Sequence, residues 1–462
     1  MTDTALLEQP LTGAPTPDLV DALSTALDEP AWLRDHRLAA LDAYHRTAWP
    51  ALDQEEWRRT PMDNVPLEHF CLVTNGAGRH ALPTLPAAFN RPAGLVIHND
   101  AHPATPSPGR RLSSAGVIFL PLSQAARDHE DLVRPHLNTI IPTDQDRFTA
   151  LTAALWSQGL FCYIPANVTL DEPLLHLLQK TTAGQGIFGH TLIIAEHSAT
   201  LTLLEHAASD TLPPTDPLTP SLSHRTIEII AGQNADIRLI EVQNWGDDVH
   251  AFVTQRTRQA RDARVQLTSL ALGGRLSKES IDVDLRGDGS QANIVGLFIG
   301  HDQQHIEYNT RQDHHGIGAT SNLLIKGALT DNAAAVQYGL IKIWPEGQKA
   351  GGYQTMRNLL LSEGASADPI PVLEIEADDV QCSHAAAVGP VDPEHLFYLE
   401  SRGIPPQQAH HMVVQGFLNV ATEHLTDQRI RTYIQDLIAQ HLDHVDHNDA
   451  PNDAPNHGQA TP

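Results

Sequence analysis

The chain is short of positive charge, of cysteine and of long apolar runs. Lys and Arg total 30 against 56 Asp and Glu, a formal net charge of −26. Such a surface repels phosphate backbones and anionic lipid, which disfavours nucleic-acid and membrane-surface roles. Three cysteines among 462 residues argue against a disulfide framework and point to a reducing, cytoplasmic compartment. No apolar stretch approaches the ~20 residues that a bilayer-spanning helix needs. The start, MTDTALLEQPLTGAPTP, lacks the basic-then-apolar pattern of a secretory signal. Catalytic signatures are missing too: GxxxxGK[ST], CxxC, HExxH and GxSxG do not occur. The Gly-rich pieces AGRHAL and TAGQGIFG lack the Lys of a phosphate loop. No bound nucleotide is expected here, and any linked nucleotide hydrolysis belongs to another subunit.

What is there changes texture twice. Residues 1–17 are polar and Pro-containing and read as disordered. From Asp18 to Trp49 the apolar spacing is helical: Leu19, Leu23 and Leu27 recur every four residues, and Trp32, Leu33, Leu38 and Leu41 continue after Pro30. GLVIHND (94–100) and GVIFLPL (116–122) read as strands. QDRFTALTAALWSQG (145–159) reads as a helix stopping at Gly159. Residues 18–159 are thus an N-terminal mixed α/β domain.

From Leu160 strand-like runs recur, among them TLIIAEH, TIEIIAG, ADIRLIEV and ANIVGLFIG. An Ala-x-[Ile/Val] element opens three of them, at Ala235, Ala263 and Ala292, at intervals of 28 and 29 residues. An earlier copy at Ala199 precedes Ala235 by 36, and the Pro-rich TLPPTDPLTPSLS (211–223) accounts for the extra length. A fixed short period in an all-strand region predicts a solenoid, in which each coil buries its inward face only by stacking on its neighbours. A β-sandwich with regular strand lengths is the alternative. Residues 160–390 form this β core.

The third texture is helical. Asp392 before Pro393 is an N-cap with Pro at the first helical position. Ala409, Val413, Phe417 and Val420 mark a stripe on a second helix, and Ile430, Ile434, Leu437 and Ile438 mark a third. The helical domain spans 391–445, and 446–462 reads as a disordered tail with NDAP repeated.

Most of the 27 histidines read as turn or core residues. His301 and His305 lie in strand and turn context, His314 and His315 face opposite sides of a strand, and His444, His447 and His457 fall in or near the tail. Cys71 and Cys162 sit among apolar residues and read as buried thiols. Cys382 and His384 differ. They stand at i and i+2 after the strand LEIEADDV, on one face and within shared reach of one metal. Thiolate plus imidazole suits iron or zinc, and a packed thiol beside a hydrogen-bonded His is the other reading. Iron–sulfur clusters take about four protein ligands. This motif offers two, so a site completed by a second chain fits better than a permanent cluster within this one.

The segment YQTMRNLLLSEGASADPIPVLEIEADDVQCSHAAAVGPVDPEHLFYLESRGI (353–404), continuing through AHHMVVQGFLNVA, resembles the C-terminal core of the SufB/SufD family of iron–sulfur cluster assembly proteins. HHGIGATSNLLIKGALTDNAAAVQYGLIKI, EPAWLRDHRLAALDAY, EEWRRTPM and GLFCYIPANVTLDEPL fit other family segments. Met356 stands where SufB-like chains carry a cysteine, and His384-Ala385 where they carry His-Glu, so the chain is similar to the SufD subunit. Ala385, Ala387 and Pro390 depart from many relatives and leave both candidate ligands in place. The resemblance implies a right-handed parallel β-helix flanked by N-terminal and C-terminal domains. It implies a non-catalytic scaffold of a SufBCD complex, pairing with SufB through the C-terminal end of the β-helix and binding the SufC ATPase through the C-terminal helices. Self-pairing without SufB stays open. His384, and less securely Cys382, would then hold a transient cluster shared with SufB and passed on. A β-helix carbohydrate-active enzyme and a metal-free interaction scaffold remain as alternatives. The first needs a register of carboxylates that Asp282, Asp284 and Asp288 do not supply.

Overall fold

A left-handed backbone residue recurs ahead of alternate strands: Ser198 (φ 55°), Asn234 (57°), Asp262 (57°), Gly289 (67°), Gly318 (67°) and Lys349 (61°). Asn, Asp and Gly reach this region most readily. A small buried residue follows each: Ala199, Ala235, Ala263, Ser290, Ala319 and Ala350. At Ala199, Ala235, Ala263, Ser290 and Ala319 it closes the corner by bonding back three residues, as Ala235 N does to Gly232 O at 3.1 Å. This turn generates the period. It also corrects one expectation: Ser290, not Ala292, is the counterpart of Ala263, because Ala292 pairs with Val265 two positions further on.

The computed structural model describes Leu7, Phe89 and residues 9–11, 13–63, 65–67, 69–72, 92–99, 103–104, 110–209 and 219–448. It falls into two units, 1–389 and 390–462. In the first, the strands are β1 (Gly94–Asn99), β2 (Pro103–Ala104), β3 (Ile118–Pro121), β4 (Gln158–Ile164), β5 (Leu174–Lys180), β6 (Gly186–Ala195) and β7 (Thr200–Ser209). There follow β8 (Ser221–Ala231), β9 (Asp236–Asn244), β10 (Val249–Gln259), β11 (Arg264–Ala271), β12 (Leu276–Leu285) and β13 (Gln291–Gly300). The last are β14 (His305–His314), β15 (Thr320–Leu329), β16 (Ala334–Ile343), β17 (Gly351–Leu360), β18 (Ser366–Ile375) and β19 (Gln381–Gly389).

Odd strands from β5 to β19 stack in one sheet with β1 and β2, and even strands from β4 to β18 stack in the other with β3. Pairing from β4 and β5 onward is parallel and in register. Two parallel sheets fed alternately by one chain make a β-solenoid of about eight coils and exclude the sandwich. One end of each sheet closes with a short antiparallel pair, β1 with β2 and β3 with β4.

The helices Pro17–Ala26 and Ala31–Arg46 divide the expected helical stretch at Pro30. Arg37 is fully buried, paired with Glu29 at 2.6 Å and donating to the carbonyls of Ala154 and Trp156. The helix expected to stop at Gly159 ends at Leu155, because Gln158 already pairs with Gly189 in β4. The expected disorder of 1–17 lies partly outside the described residues. Among those described, Leu7 is buried and Leu11 N bonds Phe70 O at 2.8 Å, while Gln9, Pro10, Ala14, Thr16 and Pro17 are exposed. Residues 210–218, within the expected Pro-rich loop, lie outside the described residues.

The second unit holds the helices Pro393–Ser401, Pro406–Asn419 and Gln428–Asn448. Asp392 caps the first, accepting from Glu394 N at 2.9 Å. In the second helix Ala409, Val414 and Leu418 are buried, which turns the expected stripe by one residue and leaves Val420 exposed. Ile430, Ile434 and Ile438 are buried as the spacing predicts. The third helix continues to Asn448, past the expected start of the tail. Residues 449–462 lie outside the described residues.

The solenoid interior is not wholly apolar. Arg225 projects from β8 across a gap left by Gly189, where a Cβ would stand 3.3 Å from Arg225 Cγ. Arg225 donates to Glu205 and to Glu241, the latter at 3.5 Å. His176 Nδ1 lies 2.7 Å from Glu205, and Ser269 donates to Glu279. Burial works to raise the Glu205 carboxyl, but Arg225 and His176 outweigh it and hold the group at about 2. Glu241 and Glu279, served by the same single arginine, are raised by burial. These two carboxyls keep their protons in the folded chain above pH 4.5, where the unfolded chain has released them. Their contribution to stability therefore falls as pH rises from about 4.5. In urea unfolding at pH 5 and pH 8, Glu241→Gln is expected to shift the stability difference between the two pH values in favour of pH 8. An unchanged difference would contradict a protonated Glu241.

Candidate functional site

Cys382 and His384 both lie on β19, the last strand of its sheet. In register, Cys382 pairs with Gly352, His384 with Gln354, Ala386 with Met356 and Val388 with Asn358. Gln354, Met356 and Asn358 are buried in the interior. Alternation therefore puts Cys382, His384, Ala386 and Val388 on the inward row of the last coil. On β18, Ala367, Pro369, Leu373 and Ile375 occupy the matching row, over the buried Ala335, Gln337, Ile341 and Ile343. No coil follows within this unit. A row that earlier coils bury is here half-buried or exposed, with Ile375 43% and Val388 41% accessible.

The two candidate ligands share a face but not an environment. Cys382 is half-buried and packs with Leu373 and Val380 against Ile341, Ile343, Ala350 and Ala377. Burial pushes its thiol up, opposed by a hydrogen bond from the Gly352 backbone. A protonated thiol is a poor metal ligand. His384 is exposed. No cluster of three or more His, Cys, Asp or Glu suited to a metal forms among the described residues. Cys382 and His384 therefore stand without a third candidate ligand among the described residues.

Met356 is fully buried in the main core, stacked between Ile325 and Ala386. Its methyl fills the space across from Gly339, where a Cβ would stand 2.5 Å away. It offers no thiolate and no access.

The other sequence candidates separate cleanly. His314 is buried, 2.9 Å from Ser321 Oγ, and burial lowers it to about 4. His315 points outward, stacks on Trp344 and contacts Glu346 at 2.9 Å. His301 lies 2.9 Å from its neighbour Asp302, and His305 3.5 Å from Glu307, so the two have different partners. His457 and the side chains of His444 and His447 lie outside the described residues. Cys162 is buried in β4 and strongly raised by burial. Cys71 is half-buried rather than buried, in an isolated bridge to Gln185.

Sequence reading missed a groove of about 970 Å³ between residues 47–57 and the outer face of the β8–β16 sheet. Asp282 and Asp284 line it on β12, but Arg256 holds Asp282 and Arg286 lies 2.8 Å from Asp284. Asp313 is tied to Arg311 at 2.6 Å. Acid–base glycoside cleavage requires a carboxylate pair with separated protonation states, and these three each serve an arginine.

A parallel solenoid with its last coil bare defines the class. The family description "SUF system FeS cluster assembly, SufBD core domain" matches residues 177–417, and "SufBD protein N-terminal region" matches 21–175. The chain belongs to the SufB/SufD family of the SUF iron–sulfur cluster assembly system, on its SufD side. The iron–sulfur cluster assembly protein SufD of Bacillus subtilis is 31% identical over 433 residues, 91% of this chain and 96% of that protein. SufBD family proteins of Staphylococcus saprophyticus and Staphylococcus epidermidis are each 26% identical over 429 residues, covering 89% of both chains.

The thiol environments set an order of reactivity. With iodoacetamide at pH 8, Cys162 is expected to stay unmodified in the folded chain, and Cys382 to react more slowly than it does in urea. Equal rates for Cys382 in both states, read by peptide mass, would contradict its packing.

Proposed function

We propose that the chain is a SufD-type scaffold subunit on which a nascent iron–sulfur cluster is assembled, as cargo, at a junction with a SufB-type chain. The carrying observation is the bare last coil, with His384 exposed on its inward row. A second solenoid end set against this one would cover that row and bring a second set of ligands to His384. His384 then acts as a ligand from this side, and Cys382 contributes packing first and ligation second. A neutral imidazole and partner thiolates are a suitable donor set for iron. Met356 supports the assignment of the sulfur-bearing role to the partner. Phe397 (72% accessible), Tyr398 (56%) and Met412 (43%) give the C-terminal unit an apolar surface suited to the SufC ATPase, which supplies the ATP hydrolysis. The sparse cysteine usage supports a cytoplasmic setting.

His384 is exposed, so His384→Ala is expected to leave folding and co-purification with the SufB-type and ATPase subunits intact while lowering cluster formation several-fold, read by visible absorbance and bound iron. Unchanged cluster yield would remove His384 as a ligand. Loss of the three-chain complex in the unmutated protein would sink the reading as a whole.

A further inference from the structure

The column beneath His384 is aliphatic through five coils: Leu203, Leu239, Leu267, Ile294 and Leu323. Only the residue immediately below it is polar. Gln354 pairs with His384 in register and is 2% accessible. Its Nε2 donates to Gln312 Oε1 at 3.2 Å. Its Oε1 is buried and has no hydrogen-bond partner. Gly339 across the slot makes room for this oxygen, since a Cβ there would stand 3.0 Å from it. A buried amide oxygen without a donor is costly and uncommon in folded proteins. The next coil places a residue with a ring N–H, His384, over it.

We propose that Gln354 is a positioning residue: a turn of the exposed His384 side chain sets one ring N–H on its unpaired Oε1, fixing the tautomer and directing the other nitrogen, with its lone pair, to the open end of the solenoid. Metal-binding histidines are commonly held this way through the nitrogen that does not bind. The consequence for cluster chemistry rests on the reading of His384 as a ligand. The hydrogen bond itself does not.

The test uses the full chain labelled with 15N-histidine, with the His384 signals identified by their loss in His384→Ala. In the unmutated chain His384 is expected to populate one tautomer at pH 8. Gln354→Met, similar in size and without the acceptor, is expected to release it to the mixture of a free imidazole with the unfolding midpoint retained. Gln354→Glu, which restores an acceptor, is expected to restore the single tautomer. The same tautomer mixture in all three chains would overturn the proposal. Gln354→Met is further expected to lower cluster yield in the assembled complex by roughly 10–100-fold or less, the range over which outer ligands act on metal affinity, with Gln354→Glu recovering it. The tautomer readout tests Gln354, whereas the cluster yield of His384→Ala tests the ligand, so the two can fail separately.

Discussion

Everything in the solenoid depends on in-register parallel stacking, which makes each inward side chain the floor for the one above it. Ala292 lies over Val265, Ser321 over Ala292, Gly352 over Ser321 and Cys382 over Gly352. Burial of one coil is therefore supplied by the next. The rule breaks at β18 and β19, which have a neighbour on one side only. The same alternation that packs Leu323 and Gln354 leaves His384 in the open.

The two ends of the stack are managed differently. At the start, β2 and β3 are short antiparallel strands, and a helical layer built around Phe148, Leu151 and Trp156 packs over β6 and β8. At the finish, β18 and β19 run ten and nine residues, and no further strand pairs with them among the described residues. Long free edges invite pairing with another chain, and proteins usually blunt them. The edge here carries Pro369 and Pro371, which cannot donate, on β18 alone. β19 carries no proline, so the edge next to His384 keeps its full set of donors.

Much of this was legible in the sequence. The change of texture near Leu160, the period and the i, i+2 spacing of Cys382 and His384 follow from local alternation, and local patterns survive in sequence. The helix end at Leu155 was missed because tertiary pairing of Gln158 with Gly189 overrides a helical pattern. Ala292 was matched to the wrong position because the repeat is set by backbone conformation at Asp262 and Gly289, which share φ but not identity. The interior charges could not be read. Glu205, Glu241 and Arg225 meet across two sheets from separate coils, and only the register shows that they share one space. Gln354 was invisible for the same reason. Its importance comes from lying beneath His384, 30 residues away in sequence.

The central claim is that the last coil is an unfinished interior that a second chain completes. Hydrogen–deuterium exchange on this chain, alone and with a SufB-type partner, tests it most directly. The account predicts that amides of Ser366–Ile375 and Gln381–Gly389 become protected on mixing, while those of Gly94–Asn99 and Ile118–Pro121 do not change. Binding that protects the early strands and leaves β18 and β19 as they were would contradict it.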